Sequence, residues 1–205
     1  MTVAFLMLAH NNLSTAGAVA GALGAGRRPI ATHIDARAPM NEVAAFRDGA
    51  GDGMMVPRRK CDWGLFGLVW ATIDGLSTLI ASGRDFSHVM LVSGADLPLR
   101  PIAELKGFLA ANPIADLIES VELSEKRWVM DGLTEERFHL YHPFNWRKRR
   151  GLFDMNVEAQ RFLKVKRRLP RKLTPALGSQ WCCLSRATIE RILADPQLPE
   201  LKRFF

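Results

Sequence analysis

The stretch from His88 to Pro101, His-Val-Met-Leu-Val-Ser-Gly-Ala-Asp-Leu-Pro-Leu-Arg-Pro, constrains the fold more than any other part of the chain. Val89 to Val92 is a continuous, partly β-branched apolar run, short enough for a strand buried on both faces. The run breaks at Ser93-Gly94, presents one carboxylate at Asp96, and is stopped by Pro98 and Pro101. Asp96 has two readings. In the first it is a turn acid that caps the helix opening near Ile102. In the second it belongs to a ligand site, because open α/β sheets bind ligands in the crevice outside the carboxyl ends of their strands.

The rest of the chain supplies partners for such a strand. Thr2 to Ala9 reads as a first buried strand, His10-Asn11-Asn12 as a turn, and Ser14 as the cap of an Ala-rich helix reaching about Leu23. Ile30 to Ile34 is a second strand, so each of the first two strands closes on a polar residue, His10 or Asp35. Together they make one βαβ unit, but its first turn lacks the Gly-x-Gly-x-x-Gly of dinucleotide enzymes. A short helix is expected over Met40 to Arg47 and a weak strand over Met54 to Val56.

Apolar residues 65, 68, 69, 73, 76, 79 and 80 share one face of a helix from Leu65 to Ser82. Further on, Ile102 to Ala111 reads as a helix and Leu117 to Val121 as a strand. Glu119 inside that strand is either turned to solvent on an edge or held in a site, since an unpaired buried acid is costly. Past residue 122 the periodicity loosens. Trp128, Phe138, Tyr141, His142, Phe144 and Trp146 read either as a lid over the core or as faces on which sugar rings stack. Helices over Asp154 to Arg168 and Ala187 to Leu193 follow. The fold class is α/β, with a mostly parallel central sheet flanked by helices in a single domain over residues 1–205.

Composition limits what this domain does. At 205 residues, 48% hydrophobic and 24% charged, the chain has ample core for one globular domain. No run approaches the roughly 18 apolar residues of a membrane span, and the N-terminus has no basic flank of a signal peptide. Three cysteines, two of them adjacent at Cys182 and Cys183, make neither a disulfide framework nor a metal motif, which points to a reducing cytoplasm. The net charge of +7 points to an anionic partner: nucleotide phosphate, nucleic acid or an acidic membrane surface. The excess gathers in Arg147-Lys148-Arg149-Arg150 and between Lys164 and Lys172, runs that also read simply as solvated faces. No Gly-x-Ser-x-Gly or P-loop motif supports hydrolase or kinase chemistry. A different α/β enzyme pairing His10 with Asp35 is a further alternative.

Five segments in order carry a resemblance. They are Leu6-Met7-Leu8-Ala9-His10, His33-Ile34-Asp35-Ala36-Arg37, Trp63-Gly64 opening a helix, Ser93-Gly94-Ala95-Asp96-Leu97-Pro98-Leu99, and Gly178-Ser179-Gln180-Trp181 with Leu184-Ser185-Arg186. Together they resemble the core-2/I-branching β-1,6-N-acetylglucosaminyltransferase family, which also contains the peptide O-xylosyltransferases. The resemblance implies a GT-A-like, Rossmann-type sandwich. It also implies inverting transfer of GlcNAc or xylose from a UDP-sugar to a hydroxyl of a glycan, lipid-linked or peptide acceptor.

On this resemblance His10, Asp35, Arg37, Ser93 and Asp96 are the donor-binding candidates, with Asp35 at the position that holds uridine. Trp63, Glu119, Gln180 and Trp181 are the acceptor-binding candidates. Ser93 to Asp96 stands where other GT-A enzymes carry a metal-binding Asp-x-Asp. A single Asp there implies no metal and no cofactor beyond the UDP-sugar, so basic side chains must neutralise the leaving diphosphate.

The family's general base is a Glu after a Pro-Asp pair, expected beyond Phe205, so the domain is expected to be truncated at its C-terminal end and its activity alone stays open. The alternative is a non-catalytic basic module for nucleotide, RNA or membrane, although no RNA-binding signature is present and nucleic acid is not the expected partner. A cytoplasmic enzyme of polysaccharide or glycolipid synthesis, peripheral on the inner face of the membrane, would account for the basic surface.

Overall fold

The run Val3–Ala9 forms β1, a central strand, and its unbroken apolar character follows from burial on both faces. In the computed structural model, which describes residues 2–62, 65–122, 135–169 and 174–204, alternate side chains of β1 serve two separate cores. Val3, Phe5, Met7 and Ala9 enter the core shared with helices α1 (Leu13–Gly24), α2 (Met40–Ala50) and α4 (Ile102–Ala111). Ala4 and Leu6 enter the other, shared with α3 (Phe66–Ala81) and α7 (Arg186–Ala194).

The six-stranded sheet has the order β3-β2-β1-β4-β6-β5. Strands β2 (Ile30–Ile34), β3 (Met54–Met55) and β4 (His88–Ser93) continue β1 in parallel, as the apolar runs predict. Strand β6 (Cys182–Ser185) then runs antiparallel to β4, and the two-residue β5 (Leu117–Ile118) pairs with β6 at the edge. The sheet is thus an α/β arrangement, mostly parallel and flanked by helices. Strand order reverses between β1 and β4, so ligand crevices are expected at the carboxyl ends of β1, β2 and β4.

The chain divides into two compact units, Met1–Ile118 with Trp181–Pro196, and Glu119–Gln180 with Gln197–Phe205. The first holds the whole sheet. In the second, helix α6 (Arg150–Phe162) buries Phe153 and Val157 against Leu140, Phe144 and Trp146. The short helices α5 (Glu136–His139) and α8 (Leu198–Phe204) also belong to this unit, where the Arg167 guanidinium sits 3.5 Å from the centroid of Phe204. Among the described residues no helix is long and apolar enough to cross a membrane.

Several local expectations shift. Helix α1 opens one turn-residue before Ser14: Asn12, in the left-handed region at φ 46°, is its N-cap and makes no side-chain cap bond. Asn tolerates that conformation because its short polar side chain is compatible with αL. Helix α6 starts four residues before the expected Asp154 and ends at Phe162, because Lys164 turns to φ 52° and Val165 N–H closes back on Gln160 O at 2.9 Å. The strand expected over Leu117 to Val121 keeps two residues, after which Val121 bridges Leu177. Helix α4 begins after Pro101, and Asp96 does not cap it.

Candidate functional site

The carboxyl ends of β1 and β2 are clamped together before any side chain acts. Asp35 N–H donates to Ala9 O at 2.9 Å, extending the ladder one residue past β2. This fixes Asp35, a residue 4% exposed, at the floor of an opening. Its Oδ1 accepts the backbone N–H and Nε–H of Arg37 at 2.8 and 2.9 Å. Its Oδ2 accepts Arg37 Nη2 at 2.7 Å and Cys61 N–H at 3.0 Å. A carboxylate has about four lone-pair positions, and here all are taken. Burial acts to raise the pKa of Asp35, but the hydrogen bonds of Arg37 and Cys61 and the Arg37 charge outweigh it and hold the acid far below the usual carboxylate range.

Arg37 is shared in turn. Its Nη1 donates to Asp62 Oδ1 at 2.7 Å and its Nη2 to Cys61 O at 2.7 Å. The segment bearing Cys61 and Asp62 is pinned to β2 from below. The ring of His33, 2% exposed, accepts Arg59 N–H at its Nε2 at 2.9 Å, and Ala36 N–H donates to Arg59 O at 2.9 Å. Arg59 itself is tied to α3 by an ion pair with Asp74 and by its guanidinium lying 4.7 Å from the Trp70 ring centroid. Burial is the main reason the His33 pKa is lowered, with Arg59 and Arg58 adding to it and Asp35 and Asp74 opposing. Burial, with Asp35 adding to it, also pushes the Cys61 thiol up to about 11, so it is no thiolate nucleophile near neutrality. Arg58 ties the segment after β2 down by donating Nη2 to the carbonyls of Asp35 and Ala38.

Above this floor lies a cavity of about 730 Å³, lined by His10 to Thr15, Asp35, Arg37, Ala38, Pro39, Glu42 and Ala45. Its walls are the first turns of α1 and α2. These helices meet closely because glycines stand at the crossing: a Cβ on Gly17 would lie 2.3 Å from Phe46 O, and one on Gly21 2.3 Å from Gly49 O. The first turn of α1 has no acidic residue and no side-chain cap, whereas that of α2 carries Glu42. Backbone N–H groups at α1 therefore favour an anion, and the α2 end is already supplied with one.

The turn after β4 stands on the other side of α1. Gly94 N–H donates to Leu8 O at 3.0 Å, and a Cβ at Gly94 would come 2.8 Å from Ala16 Cβ. Asp96 Oδ2 accepts Ser93 N–H at 2.7 Å, and Ser93 Oγ accepts Ala95 N–H at 3.2 Å, so the Ser93–Asp96 turn is closed by its own side chains. Asp96 lines a second, apolar cavity of about 620 Å³ together with Met90, Leu105, Phe108 and Trp181. The donor-binding candidates are thus divided. His10, Asp35 and Arg37 converge on the first cavity, Asp96 lies in the second with Trp181, and Ser93 closes the turn.

A family model for the Core-2/I-Branching enzyme matches residues 3–204, nearly the whole described chain. The chain belongs to the core-2/I-branching glycosyltransferase family. No curated protein matches it.

In the second unit of this core-2/I-branching glycosyltransferase, Glu119 Oε2 accepts Ser179 N–H at 3.0 Å. A Cβ at Gly178 would fall 2.0 Å from Glu119 O, so the Gly-Ser-Gln segment that bears the exposed Gln180 lies directly on Glu119. Trp63 lies outside the described residues. Among the described residues no group of three or more His, Cys, Asp or Glu is placed to hold a metal ion. Sequence reasoning missed Arg58, Cys61 and Asp62, which hold Asp35 and Arg37, and the glycines of the α1–α2 crossing, which set the helices that wall the first cavity. The signal for the glycines was present in the spacing Gly17-x-x-x-Gly21, which puts both on one helix face. The others reach β2 across more than twenty residues of chain, and no local pattern announces that.

Proposed function

We propose that this glycosyltransferase binds a UDP-sugar in the cavity between the first turns of α1 and α2 and transfers GlcNAc or xylose to an acceptor hydroxyl with inversion, without a metal ion. The observation that carries the reading is the convergence of His10, Asp35 and Arg37 on one crevice at the carboxyl ends of β1 and β2 in a chain of this family. Asp35 is the positioning residue. With its carboxylate filled, it fixes Arg37 and anchors the Cys61 backbone behind it, and Arg37 with His10 forms the surface offered to the uridine. The diphosphate is assigned to the uncapped first turn of α1, from Asn11 to Thr15, where Arg37 alone could not neutralise it because Asp35 and Asp62 already share its charge.

The Ser93–Asp96 turn is assigned to the sugar side of the donor. Glu119, Gln180, Trp181 and Trp63 are assigned to an acceptor of glycan, lipid-linked or peptide type. Inverting transfer needs a carboxylate that accepts the hydroxyl proton as the oxygen attacks the anomeric carbon and the UDP–sugar bond breaks. Asp35 does not serve as that base, since its hydrogen bonds suppress proton uptake.

The test is calorimetric titration with UDP, UDP-GlcNAc and UDP-xylose, comparing the protein with Ser14→Glu. An acid in the first turn of α1 stabilises the helix by about 0.3–1 kcal/mol, so loss of UDP binding in that variant reports repulsion of the phosphates and not unfolding. Preference for one UDP-sugar over UDP names the donor. Unchanged UDP affinity in Ser14→Glu removes the diphosphate from α1.

A further inference from the structure

Helix α6 packs one apolar face and leaves a second one in solvent. At 100° per residue, Phe153, Val157 and Gln160 fall together on one side and are buried. Arg150, Asp154, Glu158 and Arg161 take a second side, where Arg150 pairs with Asp154 and Arg161 with Glu158 and Glu136. Leu152, Met155, Phe162 and Leu163 share a third, within an arc of about 100°. These four are 39%, 62%, 85% and 68% exposed. Scattered surface leucines need no explanation, but a stripe of four large apolar side chains along one helix marks an interaction surface.

The charges around the stripe say what it fits. Lys148 and Arg149 stand at its N-terminal end, and Lys164, Lys166 and Arg168 at its C-terminal end, all exposed. Of the two acids of α6, Asp154 faces elsewhere and pairs with Arg150, and Glu158, about 40° around the helix from Phe162, is paired with Arg161. Apolar side chains bracketed by basic ones, about 20 Å apart across the 13-residue helix, match an interface of acyl chains beneath anionic headgroups. A nucleic acid would use the cations and leave Phe162 and Leu163 in water. We propose that this face of α6 docks the protein on an anionic lipid bilayer, with Met155, Phe162 and Leu163 inserted and the flanking Lys and Arg at the phosphates.

Flotation with phosphatidylcholine vesicles, with and without phosphatidylglycerol, tests this on the full chain. The protein should float with the anionic vesicles at low salt and much less with the neutral ones. Phe162→Ser with Leu163→Ser should weaken binding about tenfold or more, given the apolar area withdrawn. Lys164→Glu with Lys166→Glu should weaken it at least about fivefold per position. Both variants replace exposed residues far from the donor cavity in sequence, so unchanged melting and unchanged UDP titration show that the fold is intact. No flotation with anionic vesicles at low salt would overturn the proposal. So would flotation unaffected by Phe162→Ser with Leu163→Ser. A concentration-dependent dimer that this double variant disperses, with no vesicle binding, would assign the stripe to a second copy of the chain instead.

Discussion

Arg37 grips the carboxylate of Asp35 at both oxygens, with Nε 2.9 Å from Oδ1 and Nη2 2.7 Å from Oδ2. An aspartate so engaged organises its surroundings: it fixes a guanidinium that is 46% exposed on the rim of the first cavity and holds the Cys61 backbone in place. Arg37→Lys keeps a charge but loses the planar fork that satisfies both oxygens at once. Asp35→Asn should lower stability by about 2 kcal/mol, read by chemical denaturation. Because its folded pKa lies below the unfolded value, Asp35 contributes stability that is complete above about pH 4 and is lost as pH falls toward the folded pKa. The acid limb of the pH–stability curve should therefore be shallower in Asp35→Asn.

His33 produces a second step at milder pH. Its folded pKa lies below the unfolded value of about 6.5, chiefly through burial, so the unfolded chain takes up the proton first. Stability from this group is complete above that pH and falls as pH drops below it. Protonation also removes the Nε2 acceptor that receives Arg59 N–H. His33→Gln, which can still offer an acceptor, should lose the slope just below pH ~6.5 in a melting series, while the native chain keeps it.

The α1–α2 crossing predicts opposite signs for the same substitution. Gly17→Ala forces a methyl to 2.3 Å from Phe46 O, with a backbone atom that has little room to yield. It should cost about 1–3 kcal/mol, as overpacking does, and widen the cavity between α1 and α2. Gly107→Ala, in α4, meets nothing within 4 Å. It should stabilise by about 0.4–1 kcal/mol, measured by thermal melts of the two variants side by side.

Asp116 staples the edge of the sheet to α7. Its Oδ1 accepts Ser185 N–H at 2.7 Å and its Oδ2 accepts Thr188 Oγ1–H at 2.6 Å. Burial works against the charge, yet those hydrogen bonds keep its pKa lowered. Asp116→Ala should cost about 1–2 kcal/mol, the scale of a lost helix cap, in equilibrium unfolding.

Where burial alone dictates structure, the sequence was largely legible. The apolar runs of β1, β2 and β4 mark buried strands. The apolar periodicity of α3 places Ile73, Leu76 and Leu79 in the core, but Leu65 and Val69 on the same expected face, at the open N-terminal end of the helix, are exposed. The antiparallel β6 escaped notice because Cys182–Ser185 is four residues long and its pairing depends on β4, some ninety residues away. Helix α1 started early because Asn12, not the better-known cap Ser14, supplied the left-handed turn. At the site, the ends of β1 and β2 bring His10 and Asp35 to one crevice, as the polar residues closing both strands suggested. The partner set of Asp35 depended on a segment folded back from residues 58–62, and the closure of the Ser93–Asp96 turn by its own acid turned a ligand-like motif into a largely self-satisfied one. Asp116 had no local signal, since its partners lie at Ser185 and Thr188.

The most direct test of the account is titration of the full chain with UDP in the presence of EDTA, repeated with added Mn²⁺ and with Ser14→Glu. Saturable UDP binding in EDTA, unchanged by Mn²⁺ and weakened about tenfold or more by an acid at the α1 terminus, is the predicted result. Binding that appears only with Mn²⁺, or that Ser14→Glu leaves untouched, would contradict a metal-independent donor site between α1 and α2.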